Sequence, residues 1–201
     1  MRIVLATRNQ GKIRELARIF AQELPDVELI GTDNFPDLAD VDETEDTFEG
    51  NALLKAEAVC NFTNLPAIAD DSGLAVDHLG GAPGIFSARY SGVHGDDEAN
   101  LQKVLREMEG VVDRRAQFIC AAAFVSPTGY KKVIRAEMVG HLISKPRGNN
   151  GFGYDPIFVP EGYELTTGEM QPEVKDAISH RGKAMRELAT VISRERAAWQ
   201  V

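Results

Sequence analysis

The sequence lacks any long apolar run, since no window approaches ~18 uninterrupted apolar residues. We therefore expect no membrane-spanning helix and no membrane partner. The apolar stretch at positions 3–6 is also too short for a secretory signal. Cysteine is equally scarce. Cys60 and Cys120 lie in apolar segments without a CxxC spacing, which predicts two buried free thiols and a cytoplasmic protein.

Positive charge is in deficit, because 22 Lys and Arg residues stand against 31 Asp and Glu residues, a formal net charge of -9. Proteins that bind along a nucleic-acid backbone need a basic face. Direct binding to nucleic acid is therefore disfavoured. An anionic ligand would have to be small and held by a few converging cations.

The common catalytic signatures are missing as well. No serine lies in a GxSxG motif, and no HExxH or paired-cysteine zinc pattern occurs. The four histidines are at positions 78, 94, 141 and 180, and none has a neighbourhood that would activate a nucleophile. The sequence thus offers no catalytic triad and no zinc centre.

An apolar content of 43% suffices for a core, and its spacing alternates between strand and helix periods. This pattern predicts a single α/β domain over residues 1–201 with a mixed sheet, because a hairpin signal stands beside strand–helix units. Strands are expected at 2–7, 27–30, 67–69, 74–76, 115–125, 132–142 and 157–159. Helices are expected after the turn at 8–11, from Thr47 to about Asn61, after Asp96 or Asp97, and at the end of the chain.

A polar turn follows the first predicted strand, and its residues are Thr7, Arg8, Asn9, Gln10, Gly11 and Lys12. Open α/β sheets bind ligands at the carboxyl ends of strands, and a helix N-terminus suits phosphate. Lys12 adds a full positive charge, although the turn lacks the two glycines of a Walker A loop. It is either a phosphate-binding turn or an ordinary strand–helix connection.

Two adjacent carboxylates, Asp70 and Asp71, directly follow a predicted buried strand. Such a pair is costly unless a cation or hydrogen-bond donors satisfy it. Consecutive residues of a regular strand face opposite ways, so the two converge only if the chain turns, as Gly73 permits. Carboxylates suit Mg²⁺, and Glu43 and Glu45 could complete the site. The alternative is an Asx turn with a solvated pair.

Cations gather where the last helix is expected to begin, at Lys175 and at the segment Ser179-His180-Arg181-Gly182. Positive charge in a first helical turn opposes the helix dipole by ~0.3–1 kcal/mol. A bound anion or polar ligand would explain the His–Arg pair. Alternatively, both side chains reach solvent.

The fourth segment is Phe152-Gly153-Tyr154-Asp155-Pro156. An aromatic side chain in a glycine loop can stack on a base, and Asp155 can accept from ring N–H groups. The alternative is a core aromatic that closes a turn. Together, the four segments supply a phosphate cradle, a cation site, a stacking surface and polar groups for a base edge. That combination favours an enzyme for nucleoside phosphates.

In this order, the segments resemble the inosine triphosphate pyrophosphatase family, the Ham1-like pyrophosphatases of non-canonical purine nucleoside triphosphates. The resemblance spans nearly the whole chain and rests on blocks at 6–12, 47–56, 69–74, 81–92, 151–156 and 179–182. The chain departs from many members at Arg8, where they have glycine.

The resemblance implies an elongated mixed sheet flanked by helices, in two lobes with an active-site cleft between them. It implies Mg²⁺-dependent hydrolysis of dITP, ITP and XTP to the monophosphate and pyrophosphate by a homodimer that cleanses the nucleotide pool. By matching position, Asp71 looks like the general base and, with Glu43, a metal ligand. The implied substrate contacts are Thr7, Arg8, Asn9, Gln10, Gly11, Lys12, Lys55, Ser72, Phe152, Gly153, Tyr154, Asp155, Lys175, His180 and Arg181.

Two other interpretations compete with this one. A nucleotide-binding module could sense its ligand without cleaving it, and an Asp71→Asn variant would distinguish a sensor from an enzyme. A Maf-type pyrophosphatase would act on other modified nucleotides, and a substrate panel would separate the two families.

Overall fold

The computed structural model describes residues 1–199 and contains a mixed six-stranded sheet in the order β2-β1-β3-β4-β5-β6. The strands are β1 (Arg2–Leu5), β2 (Glu28–Gly31), β3 (Ala67–Val76), β4 (Arg115–Val125), β5 (Lys131–Leu142) and β6 (Phe158–Pro160). The helices are α1 (Gln10–Glu23), α2 (Phe48–Thr63), α3 (Asp97–Glu107), α4 (Pro172–Ile178), α5 (His180–Arg194) and α6 (Arg196–Trp199). Strand β1 pairs in parallel with β2 and β3, whereas β5 and β6 are antiparallel. The predicted mixed α/β class is confirmed.

The described chain divides into two compact units, and the first comprises residues 1–71, 120–136 and 181–199. Its core is formed by apolar side chains of the helices α1 and α5 and of the strands β1 and β4. Among them are Phe20 of α1, Phe124 of β4 and Leu188 of α5. Fully burying side chains of this size contributes about 1.5–3 kcal/mol each. Helix α1 begins after Asn9, whose side chain accepts a hydrogen bond from the Lys12 N–H, and ends before Pro25 as predicted.

The second unit comprises residues 72–119 and 137–180. Its core contains Val104 and Met108 from the α3 region together with Phe118 and Phe158 from the strands. Asp96 caps α3 by accepting from the Ala99 N–H, so the first of the two predicted caps is the correct one. Helix α4 was not predicted, because a seven-residue helix carries too few apolar positions to show a period.

Strand β3 runs without a break from Ala67 to Val76, so the predicted turn after Asp71 is wrong. Gly73 serves close packing within the second unit. A Cβ built there would lie 2.3 Å from the Gly84 carbonyl oxygen and 2.4 Å from Ser87 Oγ. Consecutive residues of a regular strand point to opposite faces of the sheet. Asp70 and Asp71 therefore have different hydrogen-bond partners.

Within residues 1–199, every helix is too short or too polar to cross a bilayer. Cys60 and Cys120 are both buried free thiols, as predicted. Burial raises the pKa of each thiol, so neither is a ready thiolate.

Candidate active site

The predicted phosphate turn forms the N-terminus of α1. Asn9 Oδ1 accepts from the backbone N–H of Lys12 at 3.0 Å, and Thr7 Oγ1 accepts from the N–H of Asn9 at 3.2 Å. Gln10 and Gly11 lie in the first turn, which contains no acidic residue. The Lys12 ammonium lies beside it, with 14% of the side chain exposed. A positive helix end next to a lysine is a suitable site for a phosphate group.

Arg8 ties this turn to the acidic loop. Its guanidinium donates to the Leu38 carbonyl oxygen at 2.7 Å and pairs with Asp40 Oδ1 at 2.8 Å. Both charged side chains are largely exposed, so the ion pair itself adds little stability. The structure therefore places Arg8 against the loop that carries Glu43.

Helix α2 positions the groups around Asp71. Asn51 and Lys55 are four residues apart and lie on the same face of the helix. Asn51 Nδ2 donates to Asp71 Oδ2 at 3.2 Å, and Lys55 Nζ lies 3.4 Å from Asp71 Oδ1. Asn51 Oδ1 also accepts from the backbone N–H of Glu45 at 3.0 Å. The amide thus fixes both the carboxylate and the end of the acidic loop.

Burial raises the pKa of Asp71, and the neighbouring charges of Glu43 and Asp70 act in the same direction, against Lys55 and Lys12. The pKa of Lys55 is raised, because Asp71 and Glu43 outweigh the opposing effect of burial. A carboxylate with a raised pKa accepts a proton more readily than a solvated one. Asp71 is accordingly the residue of this cluster best suited to act as a general base.

The donor set at Asp71 fits Mg²⁺. Glu43 Oε1 and Asp71 Oδ1 both lie within hydrogen-bond distance of the same Lys55 Nζ, at 2.7 and 3.4 Å, so two carboxylate oxygens converge on one cation. Mg²⁺ in nucleotide sites takes one or two carboxylates and completes its shell with water and phosphate oxygens. Glu45 has an exposed side chain and contributes its backbone N–H instead. Among residues 1–199, no three acidic, histidine or cysteine side chains form a ready-made metal centre.

Asp70 belongs to a separate buried network in the same unit. Its Oδ2 accepts from Lys12 Nζ at 2.8 Å and from Arg181 Nε at 3.1 Å, and Arg181 also pairs with Glu15. Burial alone would raise the pKa of Asp70, but the charges of Lys12 and Arg181 outweigh it and lower the pKa well below its usual range. The positive charges of Lys12 and Arg181 thus balance the negative charges of Asp70 and Glu15 in the interior of the unit.

The resemblance implies that Arg181 contacts substrate, and positive charge at a helix start suggested a bound anion or polar ligand. The structure supplies that anion from the chain itself, as the carboxylates of Glu15 and Asp70. Arg181 is 3% exposed. Its neighbour His180 is also buried and lies parallel to the ring of Phe118, with centroids 4.8 Å apart.

The second unit contains a cluster around Asp155. Its Oδ2 accepts from Lys175 Nζ at 2.5 Å and from the backbone N–H of Phe152 at 2.8 Å. The Lys175 ammonium also lies 5.2 Å from the centroid of the Phe152 ring, a cation–π distance. Thr167 Oγ1 donates to the other oxygen, Asp155 Oδ1, at 2.8 Å. Phe152 is half-buried, which suits a stacking surface.

Two further residues of the Phe152–Pro156 segment, Gly153 and Tyr154, make hydrogen bonds within the same unit. The Gly153 N–H donates to Asp97 Oδ2 at 2.9 Å, and Tyr154 is buried with its hydroxyl donating to the Ser87 carbonyl at 2.8 Å. Ser72 lies on β3 directly after Asp71 and is half-buried.

Sequence reasoning assigned no role to three residues of these clusters, Glu15, Asn51 and Thr167. Glu15 and Asn51 each lie on the inward face of a helix between apolar residues, and a polar side chain in such a stripe signals a buried partner. Thr167 lies outside regular structure, where a threonine carries no comparable signal.

Comparison with known proteins gives a consistent result. A model of the Ham1 family matches residues 3–191. The chain is 54% identical over 193 residues to a dITP/XTP pyrophosphatase of Streptomyces avermitilis, covering 95% of this chain and 96% of that protein. It is 48% identical over 186 residues to a dITP/XTP pyrophosphatase of Geobacter sulfurreducens, with 92% of each chain covered.

Solved structures agree with the sequence matches. The Ham1 protein of Staphylococcus aureus superposes with a TM-score of 0.86 at 43% identity, covering 97% of this chain and 100% of that one. A dITP/XTP pyrophosphatase of Mycobacterium abscessus gives a TM-score of 0.75 at 45% identity, covering 94% and 98%. The fold and the sequence therefore point to the same group of proteins.

Proposed function

Since the chain belongs to the Ham1 family, we propose that it is a Mg²⁺-dependent pyrophosphatase of purine nucleoside triphosphates such as dITP, ITP and XTP. The products are the monophosphate and pyrophosphate, and the role is to remove non-canonical nucleotides from the cellular pool. The names of the relatives support the reaction and the substrate class. A cytoplasmic location, predicted from the two unpaired cysteines, and a homodimeric assembly, implied by the resemblance to the family, complete the proposal.

The observation that carries the proposal is the setting of Asp71. Asn51 holds one of its oxygens, and the other faces the Lys55 ammonium together with Glu43. The same unit contains the helix N-terminus at 9–12 and the ammonium of Lys12. A proton acceptor, two carboxylates suited to a divalent cation and two lysines are what triphosphate hydrolysis requires of a protein.

In the proposed mechanism, Lys12, Lys55 and the N-terminus of α1 bind the phosphate chain and neutralise its charge. Asp71 orients a water molecule and takes its proton as the water oxygen attacks the α-phosphorus. The bond from that phosphorus to the bridging oxygen breaks, and pyrophosphate leaves. Glu43 and Asp71 would hold Mg²⁺, which supplies Lewis-acid polarisation of the phosphate oxygens when bound.

We assign recognition of the base to the cluster in the second unit. The half-buried ring of Phe152 offers a stacking surface, and Lys175 offers N–H donors for a 6-keto oxygen. The resemblance also implies substrate contacts by His180 and Arg181, and either side chain carries N–H donors of the same kind. Adenine carries an amino group at that position, so donors in the site would meet another donor, a mismatch that rejects strongly.

Product analysis tests the proposal. Wild-type protein with dITP and Mg²⁺ is expected to release deoxyinosine monophosphate and pyrophosphate, separated by ion-exchange chromatography. Asp71→Asn should reduce kcat by at least about a thousandfold while dITP binding persists. Orthophosphate as the first product would refute the pyrophosphatase assignment. Binding of dITP by the wild type without metal-dependent turnover would instead identify a sensor.

A further inference from the structure

The two carboxylate oxygens of Asp155 accept hydrogen bonds from different donors. Oδ2 accepts from Lys175 Nζ at 2.5 Å and from the Phe152 N–H at 2.8 Å. Oδ1 accepts from Thr167 Oγ1 at 2.8 Å. The torsion that turns the carboxylate plane of an aspartate is soft. Because the two oxygens are chemically equivalent, the hydroxyl of Thr167 does not select one of them but holds the plane of the carboxylate, with the other oxygen facing Lys175 and Phe152.

Thr167 is itself held in place by burial and by backbone hydrogen bonds. Its side chain is completely buried, and its backbone N–H donates to the carbonyl oxygen of Phe158 at the start of β6, at 2.9 Å. The following N–H, of Gly168, donates to the backbone carbonyl of Asp155 at 3.0 Å. A β-branched side chain has a stiff first torsion, so a fixed backbone also fixes the hydroxyl.

Gly151 leaves space beside the other carboxylate oxygen, Asp155 Oδ2. A Cβ at Gly151 would lie 2.0 Å from Asp155 Oδ2, so any side chain there would push the carboxylate away from its partners. Oδ2 thus remains directed at Lys175, whose ammonium also lies over the Phe152 ring at 5.2 Å. The hydroxyl, carboxylate, ammonium and aromatic ring form one chain of contacts inside the second unit.

From this geometry we propose that Thr167 is a positioning residue for recognition of the purine base. It acts through Asp155, whose fixed carboxylate aims the Lys175 ammonium at the keto edge of a base stacked on Phe152. The inference rests on the proposed function and names a determinant of its selectivity. Loss of the hydroxyl frees the carboxylate to rotate, so the ammonium loses its direction but the phosphate-binding groups of the first unit are untouched.

The test compares Thr167→Val with Thr167→Ser, because the first removes only the hydroxyl and the second retains it. For Thr167→Val we expect KM for dITP to rise about tenfold with kcat within about twofold, and the preference for dITP over dATP to fall about tenfold. Thr167→Ser should restore both values to within about twofold of the wild type. Thr167→Ala replaces Thr167→Val should the latter fail to fold.

Thr166→Val is a matched control. Thr166 is also completely buried. Its hydroxyl donates to the Arg147 carbonyl oxygen at 2.8 Å and accepts from the Glu169 N–H at 3.1 Å, without a hydrogen bond to Asp155. Both valine variants lose the hydrogen bonds of a buried hydroxyl, so Tm should fall in both. Only Thr167→Val should change KM and the dITP-to-dATP preference. Equal kinetics for the two valine variants would overturn the proposal, as would a Thr167→Ser variant that behaves like Thr167→Val.

A binding measurement separates this inference from the proposed reaction. Deoxyinosine monophosphate is titrated calorimetrically into each variant without Mg²⁺, and Thr167→Val should bind about tenfold more weakly than Thr166→Val. A wild-type protein that binds this monophosphate but does not cleave dITP would refute the proposed function and leave the inference standing. Equal affinities in the two variants would refute the inference alone.

Discussion

Asn51 Nδ2 donates a hydrogen bond to Asp71 Oδ2 at 3.2 Å, and both side chains are buried. The same amide accepts from the Glu45 N–H through its oxygen, so its orientation is fixed from both ends. Asn51 is therefore a positioning residue for the proposed general base, although it takes no proton itself.

The first prediction concerns this amide. Asn51→Ala leaves Asp71 free to turn, and we expect kcat for dITP to fall about tenfold to a hundredfold, as for other residues that orient a ligand or base. KM should stay within about twofold, because the proposed phosphate contacts remain. Steady-state kinetics measures both constants. Asn61→Ala, an exposed position on the same helix, is the control. Wild-type kcat in Asn51→Ala would contradict the positioning role.

The second prediction concerns the buried network of Asp70. Asp70→Asn leaves the charges of Lys12 and Arg181 with one carboxylate fewer in a buried setting, and we expect the free energy of unfolding to fall by about 3–5 kcal/mol. Asp40→Asn breaks the exposed pair with Arg8 and should cost at most about 1 kcal/mol. Urea denaturation measures both. An equal loss of unfolding free energy in the two variants would show that the buried ion pairs of Asp70 stabilise the protein no more than the exposed pair does.

Much of the fold could be predicted because its signals are local. Helix α2 begins after Thr47, as predicted, with the Thr47 side chain accepting from the Gly50 N–H, and Ala52 and Ala56 are buried at helical spacing. Capping and apolar spacing act within a few residues of the chain. The strand predicted at 132–142 is confirmed for the same reason, since its side chains alternate, with Ile134 and Met138 buried and His141 exposed.

The turn predicted within β3 is wrong because the partners of its two carboxylates are distant in sequence. Two carboxylates and a glycine indicated a turn, but Arg181 reaches Asp70 across 111 positions and Asn51 reaches Asp71 across 20. Those contacts satisfy the carboxylates inside a continuous strand. The His–Arg pair predicted a bound anion or polar ligand, and residue spacing could not reveal that two carboxylates of the chain itself, Glu15 and Asp70, pair with Arg181.

The third prediction concerns alkaline pH. Burial and a hydrogen bond to Glu195 raise the pKa of Tyr130 to about 12. An unfolded tyrosine titrates near 10, so this stabilising contribution is complete below about pH 10 and is lost as the pH approaches 12. We expect the free energy of unfolding of the wild type to fall more steeply than that of Tyr130→Phe over this interval. Denaturation at a series of pH values measures the two slopes.

A control for that slope is Tyr163→Phe, which removes a phenol that is 43% exposed in the second unit. Its slope is the reference for a variant that lacks one phenol but keeps the contact between Tyr130 and Glu195. Parallel slopes for the wild type and Tyr130→Phe would show that the contact with Glu195 does not hold the proton.

The fourth prediction concerns Gly73. An alanine Cβ would lie 2.3 Å from the Gly84 carbonyl oxygen and 2.4 Å from Ser87 Oγ, and that hydroxyl already accepts from the Leu74 N–H at 2.9 Å. Backbone atoms cannot swing aside as a long side chain can, so Gly73→Ala should destabilise the protein by at least about 1–3 kcal/mol. Gly31→Ala is the control, because its nearest heavy atom would be 4.0 Å away. Urea midpoints that shift equally in both variants would show that β3 and its neighbours yield to the added methyl group.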